Sequence, residues 1–287
     1  MVGWIDTVIQ GVLLGGLYAL FAMGLSLVYG VMRLVNIAHG DFILLAAYVA
    51  LVFQGAGLDV AAATPLVVAV MFLGGYVLQR GILNRTLGKG LLPPLLVTFG
   101  LSVVIQNVLL QIFSADSQAL RAEALTTASL RLGDAIAIGW LPLGVFLVAL
   151  ALGFGLQWLF ARTGFGRALR ATSDDQETAQ LMGIDHRHMY ALATALAFAL
   201  MALAGVFAGM RTSFTPTDGP ANLLFAFEAV VIGGLGSFWG TFAGATLLGI
   251  AQSIGFRLNP GWGLLVGHLA FLAVLVLRPE GLFPRTR

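Results

Sequence analysis

Of 287 residues, 59% are hydrophobic and only 10% charged, with 37 glycines, and the mean hydropathy is +0.95; one soluble core does not need so many apolar segments approaching the roughly 20 residues that cross a hydrocarbon layer of about 30 Å. The absence of cysteine excludes disulfides, thiol nucleophiles and cysteine metal sites. A dispersed net charge of +2 excludes the concentrated basic face that nucleic acid requires.

The apolar segments fall at 7–30, 37–54, 64–82, 92–113, 140–161, 189–210, 223–236, 238–256 and 262–278. Backbone groups in lipid must be satisfied within the element that carries them, and the alternation of barrel strands is absent, so these read as nine candidate helical passes. The first begins near Val8 without a basic leader or a small-residue cleavage signal and reads as a retained membrane helix. With the N-terminus outside, Arg33, Arg80, Arg85, Lys89, Arg162, Arg167, Arg170, Arg187, Arg278, Arg285 and Arg287 fall on the cytoplasmic side. Only Arg121, Arg131, Arg211 and Arg257 of the 15 basic residues then lie outside, as the inside preference of basic loops predicts.

The first interruption is the stretch 29–41, where polar residues and glycine separate two apolar runs. Asn36, His39 and Asp41 can satisfy backbone groups at the end of one helix and the start of the next, which predicts a hairpin near the cytoplasmic face. Structural hydrogen bonding is the plainer role for His39 and gating the functional one, since one histidine with one carboxylate lacks a metal ligand set. Further along, Thr98, Ser102 and Gln106 recur at fourfold spacing with Asn107 beside them. That face can wet a pathway or bond helix to helix.

Residues 162–188 form a polar, charged block between long apolar runs. Ser173 or Asp174 can cap a short helix there, Asp174 and Glu177 have capping-box spacing, and Gly183 can end it in a left-handed geometry. A helix of two to three turns is marginal alone and needs a docking surface. Ala179, Leu181 and Met182 are its apolar candidates for a partner groove, with Arg167 and Arg170 for acidic rim groups. A solvated connector is the plainer alternative.

The last interruption runs from Glu228 to Gly244. Gly236, Gly240 and Gly244 share a helical face and read as a packing ridge, while Gly233, Gly234 and Gly236 weaken helix continuity. The run does not read as nucleotide-binding, because no soluble strand precedes it and no Gly-Lys-Ser or Gly-Lys-Thr ending follows it. Glu228, the one acidic residue in the segment, is expensive against lipid and calls for a hydrogen bond, an ion pair or a place in the pathway. His268, in the final apolar run, reads as a satisfied packing residue.

Four motifs in this chain resemble the membrane permease subunit of bacterial branched-chain amino acid ABC importers, the half paired with a second, related permease. Asn36-Ile37-Ala38-His39-Gly40 is similar to an early family signature, Ile232-Gly233-Gly234-Leu235-Gly236-Ser237 to a late one, and Arg278-Pro279-Glu280-Gly281-Leu282-Phe283 to the terminal one. Gly166, Arg167, Ala168, Ala171, Asp174, Asp175, Ala179, Gly183 and Ile184 resemble the ATPase-coupling loop. The resemblance implies one all-α, polytopic permease domain over 1–287, with the coupling loop at 162–188, in the bacterial cytoplasmic (inner) membrane. It implies a non-enzymatic chain whose ATP and Mg2+ belong to two cytoplasmic ATPase subunits, working with an extracytoplasmic solute-binding protein. Branched-chain amino acids are the leading solutes. Urea, short amides and small organic acids are the alternatives within the family, and an autonomous ion-coupled transporter is the alternative outside it.

Overall fold

All nine apolar segments fold as helices in the computed structural model, which describes residues 2–90, 92–132 and 136–283; Arg285 and Arg287, assigned above to the cytoplasmic side, lie outside the described residues. In chain order these helices are α1 (Val2–Met32), α2 (His39–Gly55), α3 (Val60–Gly81), α4 (Leu92–Phe113), α6 (Trp140–Arg162), α9 (His186–Arg211), α10 (Gly219–Gly233), α11 (Phe238–Leu258) and α12 (Gly263–Leu277). A short helix α5 (Glu123–Thr127) and a hairpin of β1 (Ser129–Leu132) and β2 (Ile136–Gly139) join α4 to α6, and α7 (Gly164–Asp174) and α8 (Gln176–Leu181) join α6 to α9. The hairpin is antiparallel with Ser129 opposite Gly139, an element the sequence reading did not include.

Five helices, α1, α3, α4, α6 and α9, are long and apolar enough to cross a membrane singly. The pair α10 and α11 passes the same test only together and is bent by 116°, while α2 and α12 are shorter apolar helices. Both α1 and α9 form the core: 89% of the most apolar stretch of α1 is buried, against 17% for α4. The peripheral helices α3, α4 and α6 therefore turn most of their surface outward to lipid or to another chain.

Side-chain contacts order the helix ends into two groups. One end gathers Gly30, which accepts from Ser173 Oγ at 3.0 Å, Arg80 against Asp185 at 3.4 Å, and Leu282, whose N–H donates to Ile232 O at 2.8 Å. Opposite it, Arg257 donates to Gly3 O at 2.6 Å, Gln54 to Arg121 O at 2.8 Å, and Gln118 pairs with Phe214. Most of the described basic residues assigned above to the cytoplasmic side sit at the first end.

The first break departs from the sequence expectation. Instead of turning at the cytoplasmic face, residues 33–38 run back into the protein, and α2 starts where His39 Nε2 donates to Phe21 O at 2.7 Å, about three turns before the end of α1. From the opposite side, residues 212–218 lead inward to α10, and Gly219 at its start packs directly on Gly40. The neighbours are reciprocal: α11 packs on α1 as α3 packs on α9, α10 on α1 as α2 on α9, and α12 on α10 as α4 on α2. Two three-helix units, α1–α3 and α9–α11, thus enter from opposite faces, each with a discontinuous middle helix that begins inside.

Candidate functional site

The start of α2 is tied to α4 by a polar ladder. Asn36 Oδ1 accepts from Ala38 N at 3.0 Å and shapes the bend. Thr98 Oγ1 accepts from Ile37 N at 3.3 Å, and Gln106 Nε2 donates to Asp41 Oδ1 at 2.9 Å and to Ser102 Oγ at 3.1 Å. The fourfold face of Thr98, Ser102 and Gln106 is therefore turned to the break, and all of Asn36, His39, Asp41, Thr98 and Ser102 are buried. Asp41, given only a backbone role in the sequence, is the group that gathers this face. Its second oxygen, Oδ2, and His39 Nδ1 have no partner among the described residues.

Glu228 lies on α10, away from that ladder. Its Oε1 is 2.5 Å from His268 Nδ1 on α12, and Tyr18 on α1 donates to Gln252 Oε1 on α11 at 2.5 Å. Phe225 joins the two pairs by stacking on both Tyr18 and His268, with ring centroids 5.0 and 6.5 Å away. The sequence offers no local signal for the Tyr18–Gln252 pair, because the partners are 234 residues apart. His268 is satisfied, as read, and it also holds Glu228 Oε1, while Glu228 Oε2 has no partner among the described residues.

The glycine seam joins α10 to α11, with one correction. Gly240 and Gly244 face Gly233 and Ala229 so closely that a Cβ on either would overlap a backbone carbonyl oxygen. Gly236 is not part of that ridge: with φ +81° it lies in the turn between the helices, next to Gly234 at φ +105°. Two positive-φ positions in four residues make the 116° reversal possible, a geometry that L side chains resist.

In the polar block 162–188 the expected helix is two helices. Thr163 caps α7, its side chain accepting from Gly166 N at 3.1 Å, and Gly166 packs against the backbone of Leu159 and Phe160. Asp174 is the last residue of α7, so neither it nor Ser173 caps α8. Asp175 does, accepting from Glu177 N at 2.9 Å, Thr178 N at 3.2 Å and Thr178 Oγ1 at 2.6 Å. Those donors, the Thr178 hydroxyl first, hold the Asp175 carboxyl below its ordinary value. Asp185, which caps α9, is likewise lowered, chiefly by the His188 N–H.

Gly183 ends α8 with φ +80°, and Ile184 N donates back to Ala179 O at 3.0 Å. Ala179 is buried in the chain itself and is not a surface for a partner, contrary to the expectation, on a helix that packs against α7 and α9. Arg170 also turns inward, to the carbonyl of Phe160. What the block presents outward is Leu181 and Met182, 87% and 78% exposed, with Arg167, Ala171, Asp174 and Asp175 exposed beside them and Ala168 half-buried. Two large apolar side chains this bare, at the tip of a capped helix, form a compact docking knob.

Residues 7–275 match the family described as branched-chain amino acid transport system / permease component. BraD of Pseudomonas aeruginosa, named a high-affinity branched-chain amino acid transport system permease protein, is 30% identical over 300 residues, spanning 98% of this chain and 96% of its own. LivH of Escherichia coli K12, named likewise, is 28% identical over 304 residues with the same coverage. FrcC of Rhizobium meliloti, named a fructose import permease protein, is 28% identical over 305 residues, spanning 93% of this chain and 80% of its own. With its apolar helices, its discontinuous pair and a match over nearly its whole length, this chain belongs to the branched-chain amino acid transport system permease family.

Proposed function

We propose that this chain is one half of the membrane pore of an ATP-driven, binding-protein-dependent ABC importer in the bacterial cytoplasmic (inner) membrane, and that its solutes are branched-chain amino acids. A related second permease completes the pore, two cytoplasmic ATPase subunits bind ATP and Mg2+, and an extracytoplasmic protein delivers the solute. The observation that carries this reading is the exposed Leu181–Met182 knob on a doubly capped helix pair. An autonomous ion-coupled transporter has no use for it.

In this reading ATPase closure pushes on α8, and Gly166, Arg167, Ala168, Ala171, Asp174, Asp175, Gly183 and Ile184 shape or flank the contact. The packing of α8 on α7 and α9 carries the push to a central helix of the core. Asn36, His39, Thr98, Ser102, Gln106 and Glu228 act at the two discontinuous helices, holding their inner ends in place during the movement. BraD and LivH support the amino acid assignment by their names, while FrcC, at the identity of LivH, favours a test with several solute classes. The test is uptake into vesicles by the co-purified assembly, with binding protein and a panel of amino acids, urea and short amides. Binding-protein-dependent uptake of leucine, isoleucine or valine is expected. Uptake that proceeds without ATPase subunits would remove the mechanism, and uptake confined to urea or amides would remove the solute assignment.

A further inference from the structure

A cavity of about 170 Å³ opens where the two discontinuous helices meet, between α2, α9, the segment 212–218 and the first turn of α10. None of the polar residues singled out in the sequence lines it. Its polar side is made by Ser213, Asp218 and Asn222, and its apolar side by the small and aliphatic residues Leu44, Ala47 and Ala221.

The polar side has unspent capacity. Asp218 stands at the N-cap of α10 but does not cap it: its Oδ2 turns back to accept from Thr215 N at 2.7 Å, and its Oδ1 makes no hydrogen bond among the described residues, on a residue that lines the cavity. The first amides of α10 therefore have no side-chain cap, and Pro220 supplies none of its own. The side chains of Asn222 and Ser213 make no hydrogen bond among the described residues. Beside them the buried Tyr48 hydroxyl is also unpartnered, its ring edge-on to Phe214 of the cavity wall at 5.0 Å.

One carboxylate, an uncapped helix start, an amide and an apolar wall, within one small cavity, are complementary to a particular class of solute. We infer that this cavity holds a small zwitterionic aliphatic amino acid in transit, its ammonium on Asp218, its carboxylate on the start of α10 with Asn222, and its side chain against Leu44 and Ala47. This rests on the importer reading above and adds to it the residues that sense charge and size. An anion alone meets Asp218 with like charge, and the Asp41 carboxylate packed on Gly219 at the start of α10 adds to that repulsion, so the site calls for a solute that carries an ammonium. At about 170 Å³ the space is well below that of pockets built for drug-sized ligands, which suits a solute of amino acid size.

The test uses the complete assembly in vesicles with saturating loaded binding protein, comparing leucine and alanine uptake. Asp218→Asn keeps the acceptor for Thr215 N and removes the charge; uptake of both amino acids is expected to fall about tenfold or more, the scale of one lost charge-assisted hydrogen bond. Ala221→Leu narrows the cavity from an exposed position and is expected to slow leucine several times more than alanine. The binding protein is the same in every sample, so the ratio of variant to parent for each solute isolates the permease. Parent-like uptake by Asp218→Asn, or an equal loss for leucine and alanine in Ala221→Leu, overturns the inference while leaving the importer reading in place. A parent assembly that carries no aliphatic amino acid overturns both.

Discussion

The seam between α10 and α11 gives the sharpest test of the packing argument, because the effect of a single methyl group can be isolated there. In Gly244→Ala the new Cβ would overlap the carbonyl oxygen of Ala229 and lie 2.6 Å from Gly233 N, where ordinary contact begins at 3.4 Å. All of the opposing atoms are backbone, so no side chain can swing away, and α10 must retreat by about 1 Å. Such overpacking costs about 1–3 kcal/mol. Alanine also gains about 1 kcal/mol over glycine in a helix interior, which obscures the clash in any single measurement. Gly155→Ala in α6 supplies the control, since its Cβ would meet nothing within 4 Å and the propensity gain is the same. The two variants should thus differ by the clash alone, about 1–3 kcal/mol, or several degrees in unfolding temperature at roughly 2–4 °C per kcal/mol. Thermal unfolding in detergent followed by size-exclusion chromatography reads this directly. Equal midpoints for the two variants would refute the close backbone approach.

Replacing both Leu181 and Met182 with Glu should leave the protein in the membrane, because neither side chain packs on its own chain, yet abolish ATP-driven uptake; normal uptake would dismiss the knob as the contact. Leaving Glu228 without its partner in His268→Leu should cost about 3–5 kcal/mol, measured as a lower unfolding temperature, with much of it recovered in the double variant Glu228→Leu/His268→Leu. The Asp175 carboxyl is held below its ordinary value in the folded protein, so its stabilising contribution is complete above the unfolded value and is lost as pH falls through the lower, folded one. Hydrogen exchange at 177–182, corrected for intrinsic rate, should stay constant from about pH 8 to about pH 5 and rise only below about pH 4. A rise near neutral pH would assign the cap elsewhere.

The helices were legible because hydrophobic length is a local property, and in lipid it decides structure almost alone; the start of α4 at residue 92 and of α11 at 238 could be read directly. Breaks were legible too, through glycine and polar residues at 29–41 and 233–237. Their direction was not. Nothing in Asn36-Ile37-Ala38-His39 says whether the chain turns at the surface or runs back inside, because the carbonyl of Phe21 that receives His39 comes from an earlier helix. Glycine spacing alone also grouped Gly236 with Gly240 and Gly244, whereas its positive φ puts it in the turn. Ala179 was misread for a similar reason: a small apolar residue on a short helix fits a partner groove or the chain's own interior equally well until the neighbouring helices are in place. The cavity at the start of α10 left no trace in the sequence, since its lining comes from three separate stretches and its one carboxylate sits in what reads as an ordinary loop.

The meeting of Gly40 with Gly219 has a mechanical meaning. Two chain segments dip in from opposite faces and touch backbone to backbone, with no bulky side chain between them. A contact this close has no slack. It also has no large ring or aliphatic branch to swing aside, so the two half-helices have to move as rigid rods, and the force that parts them can be applied far away, at the ends of those rods, as on a pair of tweezers.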